Sequence, residues 1–408
     1  MFAKGEPMKI AMFTNNYKPF IGGVPVSVER LAKGLRDLGH TVDVFAPSYE
    51  GQIEEEHVFR FKSRKKNMKG GFIVPKMLDK DIRTCFAEGG YQIIHSHHPM
   101  VMGHIALYLA RKHDVPLVYT YHTRYDEYLH YLMPRVLKKD QENKLIYSSC
   151  KQIIFTHTKF FANKCQLIFA PTPEIKSCLQ NFDIDTSIDV LPTGLTDEDF
   201  ISDPNKVNKI QNEFDTPHLF CSVSRLEVEK NFPFLLRGLA ELKKIWHEPF
   251  KVMIIGDGTE KENLERLAKS LGLSDEVSFL GRIPHAELVN YYAASKLFLF
   301  SSQSETQGIV MLEAMASSLP VVAVEGSGVN DVVRSGENGF ITALDEKEWS
   351  QSIKTIMEDD SLYQAMHKEA LLSAKSYTAE AIALQAEKAY LTLLEEVSRR
   401  VPLQYKTN

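Results

Sequence analysis

Short runs of almost unbroken apolar residues alternate along this chain with longer stretches whose apolar positions return every three or four residues. Residues 9–17 (KIAMFTNNY) read as a buried strand, residues 26–38 as an amphipathic helix and residues 41–47 (TVDVFAP) as the next strand. Further strands are predicted at 92–97, 117–122, 166–172 and 188–192, with helical segments between several of them. Strands that are apolar throughout, rather than alternating, belong to a parallel sheet covered on both faces. The pattern then starts again. Past a polar stretch at 196–215, read as a linker near residues 195–216, strands recur at 219–224, 251–256, 277–281, 297–302 and 320–324. From residue 347 the chain is helical and polar with an apolar stripe, which suits a long terminal helix. The expected fold class is α/β, with two doubly wound parallel-sheet domains facing a cleft. Their expected limits are 1–195 and 196–376, with a helix over 377–408 packing back on the N-terminal domain. Open parallel sheets bind ligands beyond the carboxyl ends of their strands, so the strand-to-helix turns are where chemistry is to be sought.

Composition narrows this picture without changing it. The chain has 408 residues, 44% hydrophobic and 25% charged, which excludes disordered, collagen-like and coiled-coil proteins and favours two cores over one. Its 48 Lys and Arg face 53 Asp and Glu, a net charge of -5 that argues against a nucleic-acid partner. Residues 1–200 hold 26 basic and 23 acidic side chains, whereas residues 201–408 hold 22 and 30, so one half is mildly basic and the other acidic. Cys85, Cys150, Cys165, Cys178 and Cys221 include no C-x-x-C pair, which fits a reducing compartment better than a disulfide framework or zinc ribbon. Residues 1–7 lack the apolar region of a signal peptide, and no stretch approaches the roughly 18 apolar residues of a membrane span. The expectation is a cytoplasmic protein, soluble or resting on a membrane surface.

Four groups of residues are candidates for chemistry. Gly22 and Gly23 lie between the first strand and the first helix, where a bare backbone can approach an anion at the helix start. The pair is not a full G-x-G-x-x-G and reads equally well as a turn. Residues 224–231 (SRLEVEKN) place Arg225 at the end of a strand and Lys230 just before a helix. Two cations there suit a diphosphate, arginine as a bidentate donor and lysine as a point charge; solvated cations flanked by Glu227 and Glu229 are the plainer alternative. In residues 304–313 (SETQGIVMLE), Glu305 falls in a loop, Gly308 opens the next helix, and Glu313 points back towards that helix's start. Free N–H groups at such a start hold anions, and carboxylates accept hydrogen bonds from ribose or sugar hydroxyls. His95, His97 and His98 end one strand pattern and His122 another; histidines at strand ends in a cleft bind polar ligands, and a zinc site lacks a third well-spaced ligand. Residues 60–69 (RFKSRKKNMK) carry six cations near Met68 and Phe72. They read either as a solvated loop or as a contact with anionic lipid, where each cation contributes about 1 kcal/mol.

Taken in order, these motifs resemble the retaining glycosyltransferases of the GT-B group, family 4, which includes sucrose-phosphate synthase-like and lipid mannosyltransferase enzymes. The resemblance spans nearly the whole chain: Gly22-Gly23, His122, S-R-L-x-x-E-K-N at 224–231, G-D-G at 256–258, E-x7-E from Glu305 to Glu313, and residues 326–331. It implies two Rossmann-like domains and transfer of a sugar from a nucleotide-sugar, usually UDP-linked, with retention at the anomeric carbon. It also implies no bound metal and no cofactor beyond the nucleotide-sugar itself. Carried over residue by residue, Arg225 and Lys230 would neutralise the leaving diphosphate and Glu313 would hold the ribose. Glu305 would meet the donor sugar's hydroxyls, and the amides from Gln307 through Gly308 to Ile309 its ring or phosphate. Gly22 and Gly23 would admit backbone N–H groups to the diphosphate, and His122 would contact the sugar near the reacting carbon. No well-placed nucleophile is evident, so front-face attack is expected rather than a covalent intermediate.

Residues 122–131 (HTRYDEYLHY) are similar to the H-T-x-Y-x-x-Y-x-H-Y segment of bacterial diacylglycerol α-glucosyltransferases, as is S-E-T-Q-G at 304–308. Tyr125 and Tyr128, with Tyr131 at the same spacing, then either wall an acceptor site or pack a helix. Together with His97 they are the candidate acceptor-binding residues. The expected donor is UDP-glucose. The expected acceptor is a glycerolipid such as diacylglycerol, met by peripheral contact with anionic lipid at the inner face of the cell membrane. A soluble sugar or cell-wall precursor is the alternative acceptor, and a non-catalytic nucleotide-sugar-binding regulator is the alternative of another class.

Overall fold

The computed structural model describes residues 6–20, 22–63, 73, 75, 79–124 and 144–400. The chain divides into two compact units, one of Met1–Gly194 with Ala379–Asn408 and one of Leu195–Thr378. In the first, seven strands form one sheet: β1 (Lys9–Phe13), β2 (Thr41–Pro47), β3 (Val58–Phe61), β4 (Ile93–Ser96), β5 (Leu117–Thr120), β6 (Leu167–Ala170) and β7 (Ile188–Val190). All are parallel, in the order β3-β2-β1-β4-β5-β6-β7, so the winding reverses between β1 and β4. The second unit carries β8 (His218–Val223), β9 (Phe250–Ile255), β10 (Val277–Gly281), β11 (Leu297–Phe300), β12 (Val321–Val324) and β13 (Gly339–Thr342). Their order is β10-β9-β8-β11-β12-β13, and the reversal falls between β8 and β11.

Burial on both faces explains the unbroken apolar runs. Along β1, Ala11 and Phe13 face a cluster containing Phe45 and Phe86, while Ile10 and Met12 face another with Val28 and Leu35. In β8, Leu219, Cys221 and Val223 lie on one side and Phe220 on the other. Burying each of the larger side chains contributes about 1.5–3 kcal/mol. β3 and β13 escape the apolar pattern. Each has four residues, lies at a sheet edge and is only partly buried, so neither needs a continuous hydrophobic run.

Residues 195–216 are folded, not a linker. Asp197–Phe200 forms a 3₁₀ turn and Pro204–Phe214 an α-helix. The helix is started by Pro204 and by the Asp203 side chain, which accepts a hydrogen bond from the amide of Asn205. It buries only Ile210, which is why its composition reads as a connector.

The helix Ala379–Arg400 belongs to the first unit and packs on the helix Gly23–Asp37. A Cβ added to Gly34 would come within 2.8 Å of Ala383 Cβ, so glycine permits the close approach. Ile382, Ala383, Ala386 and Tyr390 complete the core on that side of the sheet.

Candidate active site

In the second unit the loops after β8 and β11 leave the sheet side by side at its reversal point, the position where doubly wound sheets bind ligands. The loop after β8 is held tightly. Leu226 N–H donates to Asp257 O (3.0 Å), Glu260 N–H to Leu226 O (3.0 Å) and Ser224 N–H to Ile255 O (3.1 Å). A Cβ at Gly256 would sit 1.8 Å from Ser224 O, and one at Gly258 2.2 Å from Leu226 O. The G-D-G motif is therefore required by backbone packing against the turn that carries Arg225. Glu227 is tied down as well, accepting from the Thr259 hydroxyl at 2.6 Å.

Arg225 and Lys230 are each matched to a carboxylate. Arg225 Nη2 donates to Glu229 Oε1 at 3.0 Å; Arg225 is half exposed while Glu229 is buried. Lys230 Nζ is in direct ion-paired contact with Glu305, both side chains being largely buried. Burial pushes the Glu305 carboxyl up, but the Lys230 ammonium, the Ser302 hydroxyl and Arg225 together hold it below its ordinary value. Hydroxyls at the end of β11 brace the other loop: Ser301 donates to Lys230 O (2.8 Å) and Ser302 to Glu229 O (3.5 Å).

Gly308 caps the helix Ile309–Ala316 in the left-handed conformation, at φ 68°, and a Cβ there would meet Met311 Cε at 2.3 Å. Residues 326–328 back this loop. Glu305 N–H donates to Ser327 O at 3.2 Å, and a Cβ on Gly328 would lie 2.9 Å from Glu305 O and 3.0 Å from Gln307 N. Gln307 is buried, and Ile309 opens the helix. Glu313, one turn further, is also buried, with Oε1 2.9 Å from Nε2 of the more exposed His285. Among the described residues, Asp199, His285 and Glu313 offer ligand atoms within 4.8 Å of one another, as a metal-binding trio would. Asp199 Oδ2 already accepts from Thr196 N–H at 2.7 Å, closing the cap of its own turn. Neither Asp199 nor His285 stands out in the sequence, because they reach Glu313 only through the fold.

In the first unit the strand ends carry histidines. His98 is buried, and its Nδ1 accepts from Asn15 N–H at 3.1 Å, so it holds the loop after β1. His95 is wholly buried, with Nε2 2.6 Å from the Thr120 hydroxyl and Nδ1 2.7 Å from the Tyr390 hydroxyl. His97, 1% exposed, places Nδ1 2.9 Å from Nε2 of the half-buried His122. Burial pushes His95, His98 and His122 down to about 3, and burial together with His95, His122 and His98 takes His97 well below its ordinary value. All four are neutral at pH 7. Gly22 precedes the first turn of the helix Gly23–Asp37, and a Cβ on Gly23 would meet nothing within 4 Å, so the chain itself leaves space there.

Tyr125, Tyr128 and Tyr131 lie outside the described residues, as do residues 64–69, Met68 among them, and Phe72. Of the basic run, Arg60 is spent internally, donating to Pro47 O (3.2 Å) and Lys18 O (2.9 Å) across the Tyr17 ring, while Lys62 pairs with Asp81 at 2.8 Å. No described helix is long and apolar enough to cross a membrane.

Two family models match the chain: glycosyl transferases group 1 over residues 204–372 and glycosyltransferase family 4 over residues 21–199. The alpha-monoglucosyldiacylglycerol synthase of Acholeplasma laidlawii is 27% identical over 411 residues, covering 97% of this chain and 99% of that protein. Among solved structures, the sucrose-phosphate synthase of Thermosynechococcus elongatus superposes with a TM-score of 0.77 at 19% identity, over 95% of this chain and 100% of that one. Anabaena HepE in complex with UDP-glucose does so with a TM-score of 0.73 at 21% identity, over 94% and 100%. The fold is that of the GT-B glycosyltransferases.

Proposed function

Since this chain is a GT-B glycosyltransferase belonging to family 4, we propose that it transfers glucose from UDP-glucose to a hydroxyl of a glycerolipid such as diacylglycerol, with retention. The observation that carries this reading is the cluster at the reversal point of the second sheet. Arg225 and the Lys230–Glu305 pair stand beside the N-terminus of the helix Ile309–Ala316. A diphosphate fits fixed positive charge beside a helix N-terminus. The similarity to the alpha-monoglucosyldiacylglycerol synthase of Acholeplasma laidlawii supports the lipid acceptor.

On this reading the acceptor oxygen bonds to the anomeric carbon as the bond from that carbon to the phosphate oxygen breaks. The acceptor's proton passes to the departing phosphate oxygen. Arg225 and Lys230 stabilise the charge that develops there, in the role a metal would otherwise fill. Glu305 exchanges part of its contact with Lys230 for the sugar's hydroxyls, Glu313 accepts from the ribose, and His122 meets the sugar near the reacting carbon. Vesicles containing anionic lipid would bring the acceptor to the protein by peripheral contact.

The test is a donor screen read by UDP or GDP release, with diacylglycerol in mixed micelles beside soluble sugars and sugar phosphates, with and without EDTA. UDP release from UDP-glucose that depends on diacylglycerol and is unchanged by EDTA is expected. Release only with soluble acceptors would overturn the lipid assignment. Donor binding without turnover or slow hydrolysis would point to a regulator.

A further inference from the structure

Two neutral imidazoles 2.9 Å apart must settle which one donates, and the His97–His122 pair contains the information to decide. His97 Nε2 is buried and has no hydrogen-bond partner among the described residues. A proton on that nitrogen would be an orphaned buried N–H, which is rarer and costlier than an unpaired acceptor. The proton therefore belongs on Nδ1, where it points at His122.

The surroundings fix this ring in place. His95 packs against it with ring centroids 4.1 Å apart, and His95 is itself held by Thr120 and Tyr390. Beside His97 lies a cavity of ≈10 Å³, lined in part by Ser27, Arg30, Thr193 and His122. That volume admits about one water molecule. Nε2 is itself buried away from that space, so a water there does not relieve an N–H placed on it.

We propose that His97 is a positioning residue that donates its Nδ1 proton to His122 Nε2 and so fixes His122 as the tautomer protonated at Nδ1. The proposal rests on the reading of His122 as the group that meets the transferred sugar. Its consequence is chemical. With Nε2 committed to His97 and Nδ1 protonated, His122 has no ring nitrogen left to serve as a general base, and a hydrogen bond from its ring to the sugar is one that it donates. A donor there suits a hydroxyl oxygen of the hexose.

Imidazole ¹⁵N spectra of the full chain at pH 7 test this directly. Protonated Nδ1 is expected on both His97 and His122. In His97→Leu, the His122 signals should move towards a mixture of tautomers and kcat/KM should fall about tenfold or more. His97→Asn keeps an N–H near the Nδ1 position and should restore the His122 tautomer and most of the lost kcat/KM. A proton on His97 Nε2 in the wild type, or an unchanged His122 tautomer in folded His97→Leu, would overturn the proposal. The wild-type spectrum decides the matter even where His97→Leu fails to fold. Full turnover in His122→Ala, with the wild-type rings still protonated on Nδ1, would strike the sugar-contact reading of His122 and leave the tautomer assignment standing.

Discussion

The ammonium of Lys230 and the carboxylate of Glu305 face each other with only 10% and 16% of their side chains exposed. Removing either one strands the other. Lys230→Ala is expected to lower kcat by about a hundredfold or more, the usual effect of losing one preorganised group aimed at developing charge. It should also destabilise the fold by up to about 3–5 kcal/mol, because Glu305 keeps its burial without its cation. Adding Glu305→Gln should return part of that stability and none of the activity. UDP release and urea midpoints measure both, and full turnover in Lys230→Ala would refute the role. Arg225, Lys230, Glu305 and Glu313 were legible as charged residues in strand-to-helix segments because their motifs are contiguous. Their partners were not. Glu229, which flanks Arg225 in the sequence, is the buried group that holds it. The pairings of His285 with Glu313 and of His97 with His122 span 28 and 25 residues and have no signature in a linear pattern.

At the level of elements, the G-D-G turn and the terminal helix each act through close contact. Gly258→Ala would drive a Cβ to within 2.2 Å of Leu226 O and push the turn bearing Arg225 away from β9. A fall in kcat/KM of about tenfold or more, with the rest of the fold intact by circular dichroism, is expected from the misplacement; wild-type kinetics would show that the turn tolerates movement. Tyr390→Phe removes the hydroxyl 2.7 Å from His95 Nδ1 and leaves a buried ring nitrogen unpaired. A loss of about 1–3 kcal/mol in unfolding free energy is expected, and an unchanged urea midpoint would rule it out. Most strands and long helices were readable from their two-sided or one-sided apolar patterns. The edge strands β3 and β13 and the helix Pro204–Phe214 were not, because each buries too little to leave a pattern.

Over the whole molecule, the histidines most strongly held neutral concentrate in one unit. His95, His98 and His122 are held at about 3 by burial, and His97 is also strongly depressed; all four belong to the first unit. Their ordinary value is near 6.5, so between about 6.5 and 3 the unfolded chain binds protons that the folded chain does not. Stability is therefore fully present above pH 6.5 and is lost as pH falls through this window, by up to about 1.4 kcal/mol per pH unit for each histidine. Both tryptophans, Trp246 and Trp349, are in the second unit. Hydrogen exchange at pH 5 should thus show faster opening in the first unit than at pH 7.5, after correction for intrinsic rates, with a smaller change in the second unit. Fluorescence does not serve as the second unit's reporter, because His218 packs on Trp246 with ring centroids 4.6 Å apart. Equal loss of protection in both units would contradict the assignment.

The sequence alone determined the types of most elements, because burial on both faces of a parallel sheet writes a continuous apolar run. It also located the charged turns, because strand-to-helix motifs are short and local. Which turns meet was decided only in three dimensions. Lys230 and Glu305 are 75 residues apart and touch because β8 and β11 are neighbours at the reversal of the sheet. Strand order is a property of non-local pairing, and no local pattern encodes it.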